Sequence, residues 1–105
     1  METAYNEGYK NLPVSLTRHG LTLRQIKRNA KAAIYSVGGR GREVFKVKLN
    51  KAWTVKDKAG NPVTVEAAEG YPSDEDFGKI AWYYMPGQEH VAERKFEELS
   101  NANPA

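Results

Sequence analysis

Few side chains in this sequence have the types and spacings that bond-making chemistry uses. The two histidines, His19 and His90, stand far apart, and neither belongs to an HExxH pair or a nucleophile elbow. Asp74-Glu75-Asp76 could offer carboxylate oxygens to a divalent cation, but three consecutive residues do not encircle an ion and the EF-hand spacing is missing. Together with Ser73 the run reads instead as a capping box for a single helical turn. Gly38-Gly39-Arg40-Gly41-Arg42 has the composition of a phosphate loop, yet it leads into a strand rather than a helix, whose N-terminal amides would do the gripping. With no cysteine, disulfides and thiolate metal sites are excluded. The expectation is a protein without catalysis, without a metal or other cofactor, and without a small-molecule substrate.

The residues that do point to a chemistry are cationic. Between Lys10 and Lys58 thirteen basic residues stand against two acidic ones, Glu43 and Asp57, a local charge of +11. From Ala59 onward three basic residues face nine acidic ones, a charge of −6, so the overall +3 averages two unlike halves. Such asymmetry fits a polyanion or an acidic protein as partner. The alternative is that the halves neutralise each other within the fold. In the basic half, Arg24, Lys27, Arg28 and Lys31 share one arc if their segment is helical, with Tyr35 at the end of that arc. Arg18 leads into the strip, Arg40 and Arg42 extend it, and Lys46 and Lys48 follow on the next element. Lys and Arg neutralise phosphates and release condensed counterions, while Tyr35 could stack on a base or sugar.

To present that arc, the segment has to be a helix. Thr22-Leu23-Arg24-Gln25 has the form of a capping box, Leu23, Ile26, Ala30, Ala33, Ile34 and Val37 recur three and four apart, and Gly38-Gly39 supplies a stop. The period then changes to two, with Phe45, Val47 and Leu49 on one face of a strand and Lys46 and Lys48 on the other. Trp53-Thr54-Val55 and Val63-Thr64-Val65 flank the turn formers Asp57 to Pro62, a hairpin that pairs Val55 with Val63 and Trp53 with Val65. Lys79 to Met85 reads as a further strand ended by Pro86-Gly87, and Gln88 to Leu99 as a C-terminal helix.

The expected fold is α+β in the order α-β-β-β-β-α: a small antiparallel sheet of three to four strands with an N-terminal and a C-terminal helix packed on it. Residues 10–99 are expected to form one domain between flexible tails at 1–9 and 100–105. Ile26, Ile34, Phe45, Val47, Trp53, Val55, Val65, Ile80, Trp82 and Phe96 are its expected core.

This order of helix, antiparallel strands and closing helix resembles that of double-stranded-RNA-binding domains, with Phe45-Lys46-Val47-Lys48 in the place of their first strand. The resemblance implies no site residue. Those domains begin their last helix with lysines that grip phosphates, whereas Pro86-Gly87-Gln88-Glu89-His90 is neutral to acidic. No segment matches the basic-Gly-aromatic strand of RNA-recognition motifs.

The longest apolar run, Ile80 to Met85, is far short of the roughly 20 residues of a membrane span, and the first ten residues lack the apolar stretch of an export signal. A cytoplasmic location is expected. The expected function is that of a small regulatory or accessory domain that binds DNA or RNA through a basic face. The alternative is a stand-alone adaptor or inhibitor, of the kind phages and mobile elements carry, docking on an acidic protein.

Overall fold

The computed structural model describes residues 4–101. The parts of the expected tails at 1–3 and 102–105 lie outside the described residues. In chain order the elements are β1 (Ser15–Arg18), β2 (Leu21–Arg28), β3 (Ala32–Val37), β4 (Gly41–Lys46), β5 (Lys48–Asn50), β6 (Trp53–Lys56), β7 (Pro62–Val65), β8 (Ala68–Gly70), a 3-10 turn (Asp74–Asp76), β9 (Ala81–Tyr84) and α1 (Glu89–Asn101). The expected α-β-β-β-β-α order is therefore corrected: the chain is mostly β, and the segment expected to be the N-terminal helix is a pair of strands.

Local chemistry explains that correction. Asn29 folds its side chain back, and its Oδ1 accepts from the N–H of Lys31 at 2.8 Å and of Ala32 at 2.9 Å. This Asx turn reverses the chain in the middle of the supposed helix. On one side, covered Leu23 and Gln25 alternate with exposed Thr22, Arg24 and Ile26, a strand's period of two, and on the other the run Ala32 to Tyr35 is buried on both faces of a central strand. An extra residue at Ile26 shifts the β2–β3 register, which mimics a helical spacing across the two strands. The β-branched and aromatic content of Thr22, Ile26, Ile34, Tyr35 and Val37 agrees with the strand state.

By contacts the chain forms two compact units, Met1–Leu12 with Lys48–Tyr71 and Pro13–Val47 with Pro72–Ala105. The second unit is an antiparallel sheet in the order β1-β2-β3-β4-β9 with α1 on one face. Ala92, Phe96 and Leu99 of α1 meet Ala32, Ile34 and Val44 of the sheet, with Trp82 and Tyr84 packed against the cluster. On the other face Leu23, Ala33, Tyr35, Phe45 and Ala81 are buried, the rings of Tyr35 and Phe45 lie 5.6 Å apart, and the Tyr35 hydroxyl donates to the carbonyl of Pro13.

In the first unit, β5 pairs with β8 and β6 with β7. The β6–β7 hairpin has the expected register, Val55 opposite Val63 and Trp53 opposite Val65. Buried Glu69 ties the N-terminal segment down: its carboxylate accepts from the N–H of Leu12 at 2.9 Å and from the Asn6 amide at 2.6 Å.

Of the expected core, Ile34, Phe45 and Phe96 are buried. Val47, Val55, Ile80 and Trp82 are half-buried. Ile26, Trp53 and Val65 are exposed, which overturns their place in the core. Ile26 is the bulge residue, and the β6–β7 ribbon leaves both its faces largely open.

Candidate nucleic-acid interface

Eight basic residues, Arg18, Arg24, Lys27, Arg28, Lys31, Arg40, Arg42 and Lys46, fall between Pro13 and Val47 against the single acid Glu43. All lie in the second unit, and strand parity sorts them. Arg18 points to the side away from α1, where it donates to the carbonyl of Pro72 at 2.9 Å and to Asp74 at 2.5 Å, its guanidinium 5.9 Å from the Phe77 ring centre. It holds the 3-10 turn against the sheet, a structural task rather than a ligand contact. Lys27, brought by the bulge to the α1 side, is 3.1 Å from Glu93 and 5.0 Å from the Phe96 ring centre. Here the basic and acidic halves do pair within the fold.

Arg28 sits opposite Ala33, on the face away from α1, and donates to the carbonyl of Asn29 at 3.0 Å. Lys31 is in the β2–β3 turn. The expected common arc of Arg24, Lys27, Arg28 and Lys31 is thus corrected, because the residues belong to a strand and a turn and point to different sides. Tyr35 is corrected too: fully buried against Phe45, it offers no ring to a base. Lys48 begins β5 and belongs to the first unit.

Arg24, Lys31, Arg40, Arg42 and Lys46 have no carboxylate within ion-pair reach among the described residues. Two of them are aligned by the sheet itself. Pairing places Ser15, Arg24, Ser36, Arg42 and Tyr84 in one row across all five strands. The row faces the α1 side, since Ser36 and Arg42 have the parity of Ile34 and Val44. Two strand spacings separate the α-carbons of Arg24 and Arg42, about 10 Å. Between them the Ser36 hydroxyl donates weakly to the Arg24 carbonyl at 3.4 Å.

A second row, Thr17 opposite Thr22, runs beside the first at the exposed edge. Ser15, Thr17, Thr22 and Arg24 are all exposed, and Arg40 stands in the adjoining β3–β4 turn. Arg42 is curled by bonds to the carbonyls of Arg40 and Gly41. Lys46 lies at the other end of β4 opposite Ala32, with Lys31 close by through the bond from the Val47 N–H to the Lys31 carbonyl.

The result is a stretch of sheet, exposed at β1 and β2 and half-buried at β3 and β4, furnished with hydroxyls and guanidinium groups. Such groups donate to phosphate oxygens, and among the described residues Arg24 and Arg42 have no carboxylate to satisfy them. Composition had missed the hydroxyls of Ser15, Thr17, Thr22 and Ser36. The signal that could have found them is the alternation Ser15-Leu16-Thr17 and Leu21-Thr22-Leu23-Arg24 around His19-Gly20. Both of those turn residues have positive φ, 52° and 76°, the backbone of a type I′ hairpin.

Among the described residues, no three His, Cys, Asp or Glu side chains gather as a metal-binding set, and no helix is long and apolar enough to cross a membrane. No known family model, curated protein or solved structure matches this chain.

Proposed function

We propose that the protein is a small nucleic-acid-binding accessory domain of the cytoplasm that holds the phosphate backbone along the row of Ser15, Arg24, Ser36 and Arg42 on the α1-bearing face of β1–β4, without catalysis. The observation that carries this reading is the cross-strand row in which Arg24 and Arg42, both without a carboxylate partner among the described residues, flank Ser36 beside exposed hydroxyls. Phosphate contacts of this kind position a strand and carry no base information by themselves.

The test is a titration of the chain against oligonucleotides over a range of salt. Wild type should show a steep fall of log K with log salt, and Arg24→Gln/Arg42→Gln should flatten the slope by about 0.9 per lost contact on duplex DNA or about 0.7 on single strands. Lys27→Gln should change it little, because Glu93 already neutralises Lys27. Absence of binding at low salt removes the reading.

The adaptor alternative draws on a different observation, the exposed apolar side of the β6–β7 hairpin, where Trp53, Val63 and Val65 are open. It requires an acidic-rimmed protein partner, retained after nuclease treatment and lost in Trp53→Ala.

A further inference from the structure

Trp53 is 57% exposed, an unusual position for the residue type with the largest apolar ring. It stands at the start of the β6–β7 ribbon, in whose strands every residue but Val55 is exposed. Beside it lies an open hollow of about 560 Å³ whose lining includes Leu49, Asn50, Lys51, Trp53, Val65 and Glu66. We propose that this hollow takes an unpaired nucleobase stacked on Trp53, which makes single-stranded nucleic acid the substrate class of the protein. The inference rests on the nucleic-acid reading above.

Each part of the lining has a role in that arrangement. Val65 lies directly across the ribbon from Trp53 and lines the same hollow, and more than half of the Trp53 surface is open. Asn50 presents an amide with both a donor and an acceptor, the pair of groups that a base edge can meet. Its nitrogen packs over Gly70, where a Cβ would collide with it, so the missing side chain is what gives the amide its seat. Exposed Lys51 has no carboxylate partner among the described residues and stands where the phosphate next to a stacked base would run.

Glu66 is the one carboxylate in the lining, and Lys10 lies 3.7 Å from it. Lys56 and Lys58 continue the positive charge toward the hairpin tip, while the Asp57 carboxylate is occupied by the N–H groups of Ala59 and Asn61, both at 2.9 Å. An exposed aromatic ring within a lysine-rich ribbon is the combination that single-stranded nucleic acid uses, because every base has a face to stack. A duplex withholds those faces within its own stack.

Tryptophan emission tests the inference, since the chain has two tryptophans and the other, Trp82, lies half-buried with the Lys95 ammonium 4.0 Å from its ring centre. The full chain is titrated with a mixed-sequence single strand of roughly twelve nucleotides and with its duplex. The single strand should quench the emission and the duplex should not. Trp53→Phe should keep most of the affinity and lose the quenching. Trp53→Ala should lose roughly 5- to 150-fold in single-strand affinity and leave duplex affinity and melting temperature unchanged.

Single-strand binding without quenching, with a salt slope still flattened by Arg24→Gln/Arg42→Gln, overturns the base site and leaves the phosphate surface standing. Equal quenching by duplex and single strand also overturns it, as does a Trp53 requirement for a protein partner with none for the oligonucleotide. Failure of wild type to bind either oligonucleotide at low salt overturns both readings.

Discussion

At the scale of single residues, the identities of the buried side chains follow from what each can satisfy. Phe45 is fully buried against Tyr35, and truncation to Ala should cost about 3–5 kcal/mol, read as a lower urea midpoint. A melting curve identical to wild type would contradict this packing. Glu69 is buried with its carboxylate accepting from Leu12 and Asn6, so Glu69→Ala should cost about 1–3 kcal/mol by stranding the Leu12 N–H. Tyr84 shows the opposite balance: burial first, and then the negative charge of Glu98, push its hydroxyl above the ordinary value. Its neutral form is the one the fold favours. That stability is fully present below the unfolded value and is lost as pH rises through the raised folded value. In a phenol absorbance titration Glu98→Gln should move the Tyr84 midpoint downward, and an unmoved midpoint would leave burial as the sole cause.

At the scale of elements, what was legible depended on how local the determining interaction is. The β6–β7 hairpin and its register, the capped turn at Asp74–Asp76, the strand before Pro86-Gly87 and the closing helix were all read from turn formers, caps and periodicity. The β2–β3 hairpin was not. Its two strands carry apolar residues at spacings a helix would also accept, and the decision rests on the Asn29 side chain and a bulge at Ile26. Asn29 also donates to the Ser100 hydroxyl at 2.7 Å, which fastens the end of α1 to this turn. Asn29→Ala should therefore cost about 1–3 kcal/mol in chemical denaturation, more than Asn29→Asp, which keeps the acceptor and loses only the donor. Equal losses in the two variants would show that the Asx turn is not what reverses the chain.

At the scale of the whole molecule, protection against exchange should be uneven. The amides of β3 and β4 sit inside a five-stranded sheet among buried residues, whereas the β6–β7 ribbon is open on both faces. Hydrogen exchange should be slowest in Ile34, Tyr35, Val44 and Phe45 and far faster in Thr54 and Thr64, and the reverse order would refute this account of where stability resides. The sequence by itself determined the charge asymmetry, which is a sum over residue types, and the hairpin register and the C-terminal helix, which depend on residues within a few positions of one another. Tertiary structure alone decided which cations remain without partners. Arg18 meets Asp74 and Lys27 meets Glu93 across more than fifty positions of chain, while sheet pairing lines up Arg24 with Arg42. It also decided that Tyr35 is buried and Trp53 is not. Both are aromatic residues in strands, but Tyr35 has a paired strand on each side and the Phe45 ring against its own, whereas the strand of Trp53 pairs with β7 alone, and that depends on where distant segments fold rather than on local spacing.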